Sequence, residues 1–345
     1  MSSLNGIFRV STFFLVAIAC FAIDCCARGE THASKETTER TVLASMGSPS
    51  AEIPLTFLDS VDLRPSLLRV SAAGIWLVDL WSQRVALLDV GGQLRWVLGR
   101  KGGGPAEFTR IRDARPLGAT LLVVLDAGLG RLTFVNASGV ASAHVALDVS
   151  AEQAIPLPDT SFVLFVLGPQ TADSSLVHIG KDGHMQEHVI LHSKQLRAMQ
   201  PMSAQLTLAS NPRSGKWVAG MLTGPEMHRF DVLEGIGGSS TYVETVEPPE
   251  VIVQQPSRGE RVTRLGPLRR AARRIAMDDS TIVVLFEGTG PMAGRLLDLY
   301  HMKDGSYIGT VTLDRSPRDI DFFNGTVFLL YEEPVPEIET LHLRF

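Results

Sequence analysis

An internal repeat of roughly 45 residues constrains the fold more than any other feature of this sequence. Each copy contains four short apolar runs separated by turn residues, which is typical of short β-strands joined by tight turns. In the first copy, Gly91 and Gly92 join the last two runs as a hairpin. The runs of the first two copies are Leu67–Val70, Ile75–Asp79, Val85–Asp89 and Leu94–Leu98, then Ile111–Ala114, Leu121–Asp126, Leu132–Val135 and Ala141–Ala146.

The later copies predict a closed ring of sheets. Three of them cover Gln153–Ile190, Ala204–Thr245 and Arg274–Leu313. The sixth begins at Asp319 and is one strand short. A ring can be completed by a strand from the other terminus, so we expect Ile53–Phe57 to pair beside Ile338–Leu343. The sequence therefore predicts an all-β fold, a six-bladed β-propeller with four-stranded antiparallel blades, with a two-domain sandwich as the alternative.

Composition limits the class of protein. The chain has 345 residues, of which 45% are hydrophobic and 20% charged, so it can bury a large core. The net charge of −5 gives no general reason to expect nucleic-acid binding. The cysteines Cys20, Cys25 and Cys26 all lie near the N-terminus. The folded part is therefore expected to contain no disulfide and no cysteine-bound metal.

The N-terminal stretch has the pattern of an export signal. Arg9 precedes the mainly apolar run Val10–Ile23, which is too short for a typical membrane span. The small residues Ala17 and Ala19 precede Cys20, as in a cleavage site or a lipoprotein signal in which Cys20 is acylated. A retained anchor is a third possibility. We expect a signal at 1–26, a flexible tether at 27–50 and the propeller at 51–345, in a periplasmic, outer-membrane lipoprotein or secreted protein.

A glycine-rich segment lies between the first two copies. Residues Val97–Phe108 read Val-Leu-Gly-Arg-Lys-Gly-Gly-Gly-Pro-Ala-Glu-Phe. We expect a crossover between blades, in which Gly102–Gly104 permit positive φ values, Pro105 stiffens the exit and Phe108 packs between the blades. A phosphate-binding loop would need Gly-Lys-Ser/Thr before a helix, and the segment has neither.

This segment resembles the inter-blade signature of bacterial NHL-like six-bladed propeller proteins, Gly-x-x-Gly-x-Gly-Pro-Gly-Glu-Phe, with Ala106 at the last glycine. The resemblance covers residues 67–140. It implies an exported protein or lipoprotein, and it allows a lyase or lactonase with a metal at the channel mouth. Asp79, Asp126 and Glu287 end second strands and could bind Ca²⁺ or Zn²⁺ there. The alternative is that each carboxylate caps a turn and that no cofactor is bound.

One face of such a propeller collects the loops that leave each outer strand and those between second and third strands. The longest of these, Val246–Arg270, ends in a run of arginines, and arginine binds planar anions well. The run comprises Arg258, Arg261, Arg264, Arg269, Arg270, Arg273 and Arg274. These arginines either bind an anionic ligand or pair with nearby glutamates. Trp81 either stacks on a ligand or packs on a neighbouring loop. The candidate ligand-binding residues are Trp81, Arg84, Arg100, Lys101, Arg269 and Arg270.

The stretch His184–His188 matches the zinc-protease pattern His-x-x-Glu-His, which requires a helix. It follows a Lys-Asp-Gly turn, so we expect a strand, in which the two histidines lie about 13 Å apart.

The sequence thus predicts a monomeric, exported binding or scaffolding propeller rather than an enzyme. Its expected partners are a protein, a peptide or an anionic glycan, not nucleic acid.

Overall fold

The computed structural model describes residues 39–43, 51–166, 175–191, 193, 205–211, 213–232, 236–247, 250–254, 262–266, 270–288 and 290–343. These residues belong to one compact unit, Thr37–Phe345. Their regular structure is almost entirely β-strand. Within these ranges, no helix has the length and apolar character needed to cross a membrane.

Six four-stranded antiparallel sheets form the blades of a β-propeller. β1 (Ala51–Pro54) and the short helix α1 (Leu58–Val61) come first in the chain. Blade 1 consists of β2 (Leu67–Ser71), β3 (Gly74–Asp79), β4 (Arg84–Leu88) and β5 (Leu94–Leu98). Blade 2 consists of β6 (Ile111–Leu117), β7 (Leu121–Asp126), β8 (Arg131–Asn136) and β9 (Ala141–Ala146). Blade 3 consists of β10 (Ala151–Pro156), β11 (Phe162–Val166), β12 (Leu176–Ile179) and β13 (Met185–Val189).

The second half of the ring contains one insertion. Blade 4 consists of β14 (Leu206–Asn211), β15 (Lys216–Met221), β16 (Glu226–Asp231) and β17 (Ile236–Thr241). A separate hairpin of β18 (Val251–Gln254) and β19 (Val262–Leu265) follows, within the long loop that the sequence predicts. Blade 5 consists of β20 (Ala272–Met277), β21 (Thr281–Phe286), β22 (Leu296–His301) and β23 (Tyr307–Thr312). Blade 6 contains β24 (Asp319–Phe323), β25 (Thr326–Tyr331) and β26 (Glu337–His342).

The N-terminal strand closes the ring. β1 is the outer strand of blade 6, antiparallel to β26, with Ile53 opposite Ile338. The predicted pairing is confirmed. The strand ends earlier than predicted, at Pro54, because Phe57 already forms the N-cap of α1.

Hydrophobic clusters lie between neighbouring blades, and there is one at each of the six junctions. The cluster between blades 6 and 1 includes Ile53 and Ile338 on one side and Leu68 on the other. The cluster between blades 1 and 2 includes Phe108, which is fully buried, as the sequence predicts. Each blade is therefore stabilised mainly by its two neighbours, and the closed ring leaves no junction without a partner.

The crossover between blades 1 and 2 differs from the prediction in its glycine geometry. Positive φ occurs at Gly99 (φ 100°) and not at Gly102–Gly104. A Cβ atom on Gly99 would lie 2.7 Å from the carbonyl oxygen of Gln83. The loop is held instead by Glu107, which accepts hydrogen bonds from the Gly104 amide (2.9 Å) and the Arg100 guanidinium (2.6 Å).

A short strap in the predicted tether, Arg40–Leu43, lies along the outer strand of blade 5. Its backbone forms a parallel bridge at Thr310, with two hydrogen bonds of 2.9 Å. The Arg40 guanidinium donates two hydrogen bonds of 3.0 Å to the carboxylate of Asp298, which is fully buried. This segment therefore covers an edge strand that would otherwise be open. Residues 27–38 and 44–50 of the predicted tether lie outside the described residues.

Candidate functional site

The innermost strand of each blade lines a central channel, and buried ion pairs fill its middle. Arg69 of blade 1 lies 2.7 Å from a carboxylate oxygen of Asp319 in blade 6 and 3.3 Å from one of Asp113 in blade 2. Arg115 pairs with Asp113 at 3.0 Å, and Arg274 pairs with Asp319 at 2.7 Å. Two cavities lie in the channel, one on each side of these ion pairs, and Arg69 and Arg115 line both of them. We call Arg69, Asp113, Arg115, Arg274 and Asp319 the channel network.

The carboxylates of the same acids also accept hydrogen bonds from backbone amides of a neighbouring blade. Asp319 accepts a hydrogen bond of 2.8 Å from the Leu68 amide of blade 1. Asp113 accepts one of 3.2 Å from the Ala154 amide of blade 3. Both of these hydrogen bonds cross a junction between blades. The channel network is therefore structural, and its oxygens are already occupied.

The charges of the network depend on one another. Burial opposes the positive charge of Arg69, but Asp319 and Asp113 outweigh that effect and raise the pKa of Arg69 above its usual range. Burial also disfavours the Asp319 carboxylate, yet Arg69 and Arg274 lower the pKa of that carboxyl. Both groups are therefore charged near neutral pH, and each stabilises the other.

Asp321 lines a cavity of about 210 Å³ at the end of the channel where the inner strands end. We call this end the lower mouth and the opposite end the upper mouth. Its carboxylate accepts a hydrogen bond of 2.6 Å from the Val70 amide. Burial raises the pKa of Asp321 to about 6, although Arg69 acts in the opposite direction. This carboxyl therefore titrates under mildly acidic conditions.

We expect the contribution of Asp321 to the stability of the propeller to fall as pH rises from about 4 to about 7. Because the pKa of Asp321 is higher in the folded chain than its ordinary value, protonation favours folding, and that contribution is lost as pH passes about 6. The loss is about 2–3 kcal/mol. Urea denaturation at both pH values checks it. Asp321→Asn keeps an acceptor for Val70 and should reduce the pH dependence, whereas Asp59→Asn on the exposed surface should not.

The upper mouth has a different character from the middle of the channel. Two adjoining cavities of about 280 and 570 Å³ share Leu222, Arg273 and Arg274 as lining residues. The larger one, which we call the upper pocket, is of the size that small ligands and peptide segments occupy. Its lining residues are Ser66, Leu80, Leu222, Arg270, Arg273, Arg274, Ser316, Arg318, Glu332 and Glu333.

Local irregularities in three inner strands bring charged side chains to this mouth. The strand register shifts at Arg112 in β6, at Glu152 in β10 and at Arg273 in β20. Such bulges redirect a side chain and are frequent beside functional sites. Arg112 and Glu152 pair across blades 2 and 3 at 3.3 Å. The third of these residues, Arg273, lines both cavities.

Arg273 is a partly buried cation without a close ion-pair partner in the described part of the chain. Among the described residues, no carboxylate oxygen lies within 4.0 Å of it, and it donates one hydrogen bond of 3.1 Å to Ser316. Burial lowers the pKa of Arg273. Among the nearby charges, Glu287 has the largest effect and raises this pKa, as Asp319 also does, while Arg274 and Arg270 lower it. An anion bound here would therefore relieve both desolvation and repulsion.

The predicted ligand-binding residues are only partly brought together. Arg270 lines the upper pocket and pairs with Glu287 at 3.4 Å. Trp81 follows the pocket residue Leu80 and is 82% exposed, so it does not pack on a neighbouring loop. Arg269 lies outside the described residues.

The other three predicted residues lie apart from the upper pocket. Arg84 donates to the carbonyl oxygen of Val61 at 2.6 Å, and Arg100 pairs with Glu107. Lys101 forms an isolated bridge to Phe108 within the crossover. None of these three lines the pocket.

The acids that could have formed a metal site have other contacts. Asp79 accepts hydrogen bonds from the amides of Arg64, Trp81 and Ser82, and Asp126 accepts four comparable bonds from amides. Both carboxylates therefore cap turns. Glu287 pairs with Arg270. In the described part of the chain, no three histidine, cysteine or acidic side chains form a group suited to a metal.

The His-x-x-Glu-His stretch forms a strand, as predicted. β13 begins at Met185, and His188 lies opposite Val177 in the sheet. The helical geometry of a zinc protease is therefore absent from this stretch.

The sequence pattern does not identify Arg273, Arg318 or Glu333 as site residues. Arg273 belongs to the arginine run, but a bulge is not visible in a pattern of apolar residues. Arg318 and Glu333 come from blade 6, far in sequence from the run. One usable signal was the charged residue near the start of several inner strands, at Arg112, Glu152 and Arg273.

Known proteins resemble this chain in fold. No family model matches the sequence, and no curated protein matches it. A Bacteroides fragilis protein described as exported superposes with a TM-score of 0.55 and 9% identity, over 86% of this chain and 95% of its own. A member of the DUF4221 family from Bacteroides vulgatus superposes with a TM-score of 0.53 and 10% identity, over 90% of this chain and 99% of its own.

A third solved structure is a catalytically inactive variant of virginiamycin B lyase from Staphylococcus aureus, with quinupristin. It gives a TM-score of 0.51 and 12% identity, over 85% of this chain and 99% of its own. At these identities the comparisons show the six-bladed propeller fold, and the resemblance to NHL-like proteins stays a prediction.

Proposed function

We propose that this protein is an exported binding propeller that engages a carboxylate-bearing ligand, on a protein, a peptide or an acidic glycan, through its upper mouth. The observation that carries the proposal is Arg273, a partly buried arginine that has no carboxylate partner among the described residues and lies beside Arg270 and Arg274. A guanidinium binds a planar carboxylate through two parallel hydrogen bonds.

Two further features support a binding role at this face. The upper pocket combines charged groups with the apolar side chains of Leu80 and Leu222. Next to it, Trp81 presents a large exposed ring. Exposed aromatic residues beside arginines are typical of surfaces that bind proteins or sugars.

Export is part of the same proposal. It is supported by the signal pattern before Cys20 and by the fold shared with a protein described as exported. We propose either a free secreted form or a lipid-anchored form acylated at Cys20. Mass spectrometry of the mature N-terminus distinguishes these two forms from a retained anchor.

Charge reversal at Arg273 tests the binding site. We expect Arg273→Glu to weaken the binding of a fluorescein-labelled peptide with one glutamate, or of a uronic-acid oligosaccharide, by at least about tenfold, because attraction is replaced by repulsion. Fluorescence polarisation at low salt measures this. Arg95→Glu is the matched control, since Arg95 is an exposed arginine on the outer strand of blade 1. Equal affinity of wild type and Arg273→Glu for both probes would overturn the proposed site.

A further inference from the structure

The upper pocket contains an anion as well as a cation without a partner. Glu333 lines it from the loop after β25 in blade 6. Its side chain is exposed to solvent, and its carboxylate has no cationic group within 4.0 Å among the described residues. The other charges of the pocket are matched. Arg318 pairs with Glu332, and Arg270 pairs with Glu287. Arg273 and Glu333 are thus left as one positive and one negative group that border the same cavity.

These two groups do not neutralise each other. No ion pair joins Arg273 to Glu333, although both line a cavity of about 570 Å³. The lining of the same cavity also includes the apolar residues Leu80 and Leu222. A ligand that satisfies the whole pocket therefore carries a carboxylate, a cationic group and apolar atoms between them.

We propose that the ligand is a short peptide segment that carries both charges, with its carboxylate on Arg273, an ammonium on Glu333 and apolar side chains on Leu80 and Leu222. This inference rests on the proposed function and narrows it. A polyanion such as an acidic glycan would meet repulsion from Glu333 and gain nothing there. The ammonium and carboxylate can come from the ends of a free peptide or from lysine and glutamate side chains within a longer chain.

A set of matched peptides separates these possibilities. The first contains leucines and one glutamate and has both ends blocked. The second adds one lysine and is otherwise identical. The third replaces the glutamate with glutamine and keeps the lysine. A fourth, unblocked leucine peptide carries its charges only at its ends. Calorimetry with the full mature protein measures all four.

The second or the fourth peptide should bind about two- to fivefold more tightly than the first, as one additional solvent-accessible ion pair would give. Whichever of the two binds better identifies the source of the charges. The third should bind weakly, because it lacks the group for Arg273.

Charge reversal at Glu333 completes the test. Glu333→Lys should weaken the peptides that carry both charges and strengthen the carboxylate-only peptide. Glu52→Lys, on the exposed side of β1, should change neither. If the first, second and fourth peptides bind equally to wild type, the proposed role of Glu333 is wrong and the proposed function stands. If no peptide binds and the uronic-acid probe also fails, the proposed function itself is wrong.

Discussion

Arg69→Met is expected to lower the free energy of unfolding by about 3–5 kcal/mol. Arg69 is almost fully buried and contacts the carboxylates of Asp319 and Asp113, which belong to the blades on either side. Its Nε atom also donates a hydrogen bond of 2.8 Å to the carbonyl oxygen of Ala114. Methionine fills most of the space but leaves both buried carboxylates with one cation fewer.

Denaturant unfolding followed by tryptophan fluorescence measures the effect. Arg95→Met is the control for loss of a surface arginine, and we expect it to change stability by less than about 0.5 kcal/mol. Arg69→Lys keeps the positive charge but loses the planar guanidinium with its several donors. The loss of stability should therefore lie between those of Arg69→Met and Arg95→Met. A stability of Arg69→Met equal to that of wild type would show that the channel network does not hold the ring.

The sequence predicts most of the fold because blades repeat. Each blade repeats the same four apolar runs, and turns such as Gly91-Gly92 separate them clearly. One missing strand in the sixth copy was enough to predict the pairing of Ile53 with blade 6, which the structure confirms. The boundaries are least accurate where a strand ends without a turn signal, as at Pro54.

The candidate site is less predictable because the ring brings together residues that are far apart in sequence. Arg69 and Asp319 are 250 positions apart, yet their side chains are in contact. Whether an arginine is paired or free depends on such contacts. The sequence shows Arg270 and Arg273 as equivalent members of one run, but Arg270 has Glu287 as a partner and Arg273 has no carboxylate among the described residues. The repeat therefore predicts where the channel mouth lies, but not which charged side chains at the mouth lack an ion-pair partner.

Ile53→Asp is expected to destabilise the propeller by about 3–5 kcal/mol, because it removes a buried apolar side chain and introduces a carboxylate into an apolar cluster. Ile53 is 9% exposed and lies opposite Ile338, in the cluster that joins blades 6 and 1. Glu52→Gln is the matched control, since it lies on the same strand with its side chain exposed. Thermal and urea unfolding of the three proteins measure the difference.

The size of this effect distinguishes two ways in which the ring could be held. If the channel network alone were sufficient, the three strands β24–β26 would keep blade 6 intact, and Ile53→Asp would cost less than about 1 kcal/mol. If closure by β1 is required, the loss is large. The strap at Arg40 stabilises the neighbouring blade 5 from the same part of the chain. We therefore expect the N-terminal segment to be required for the fold.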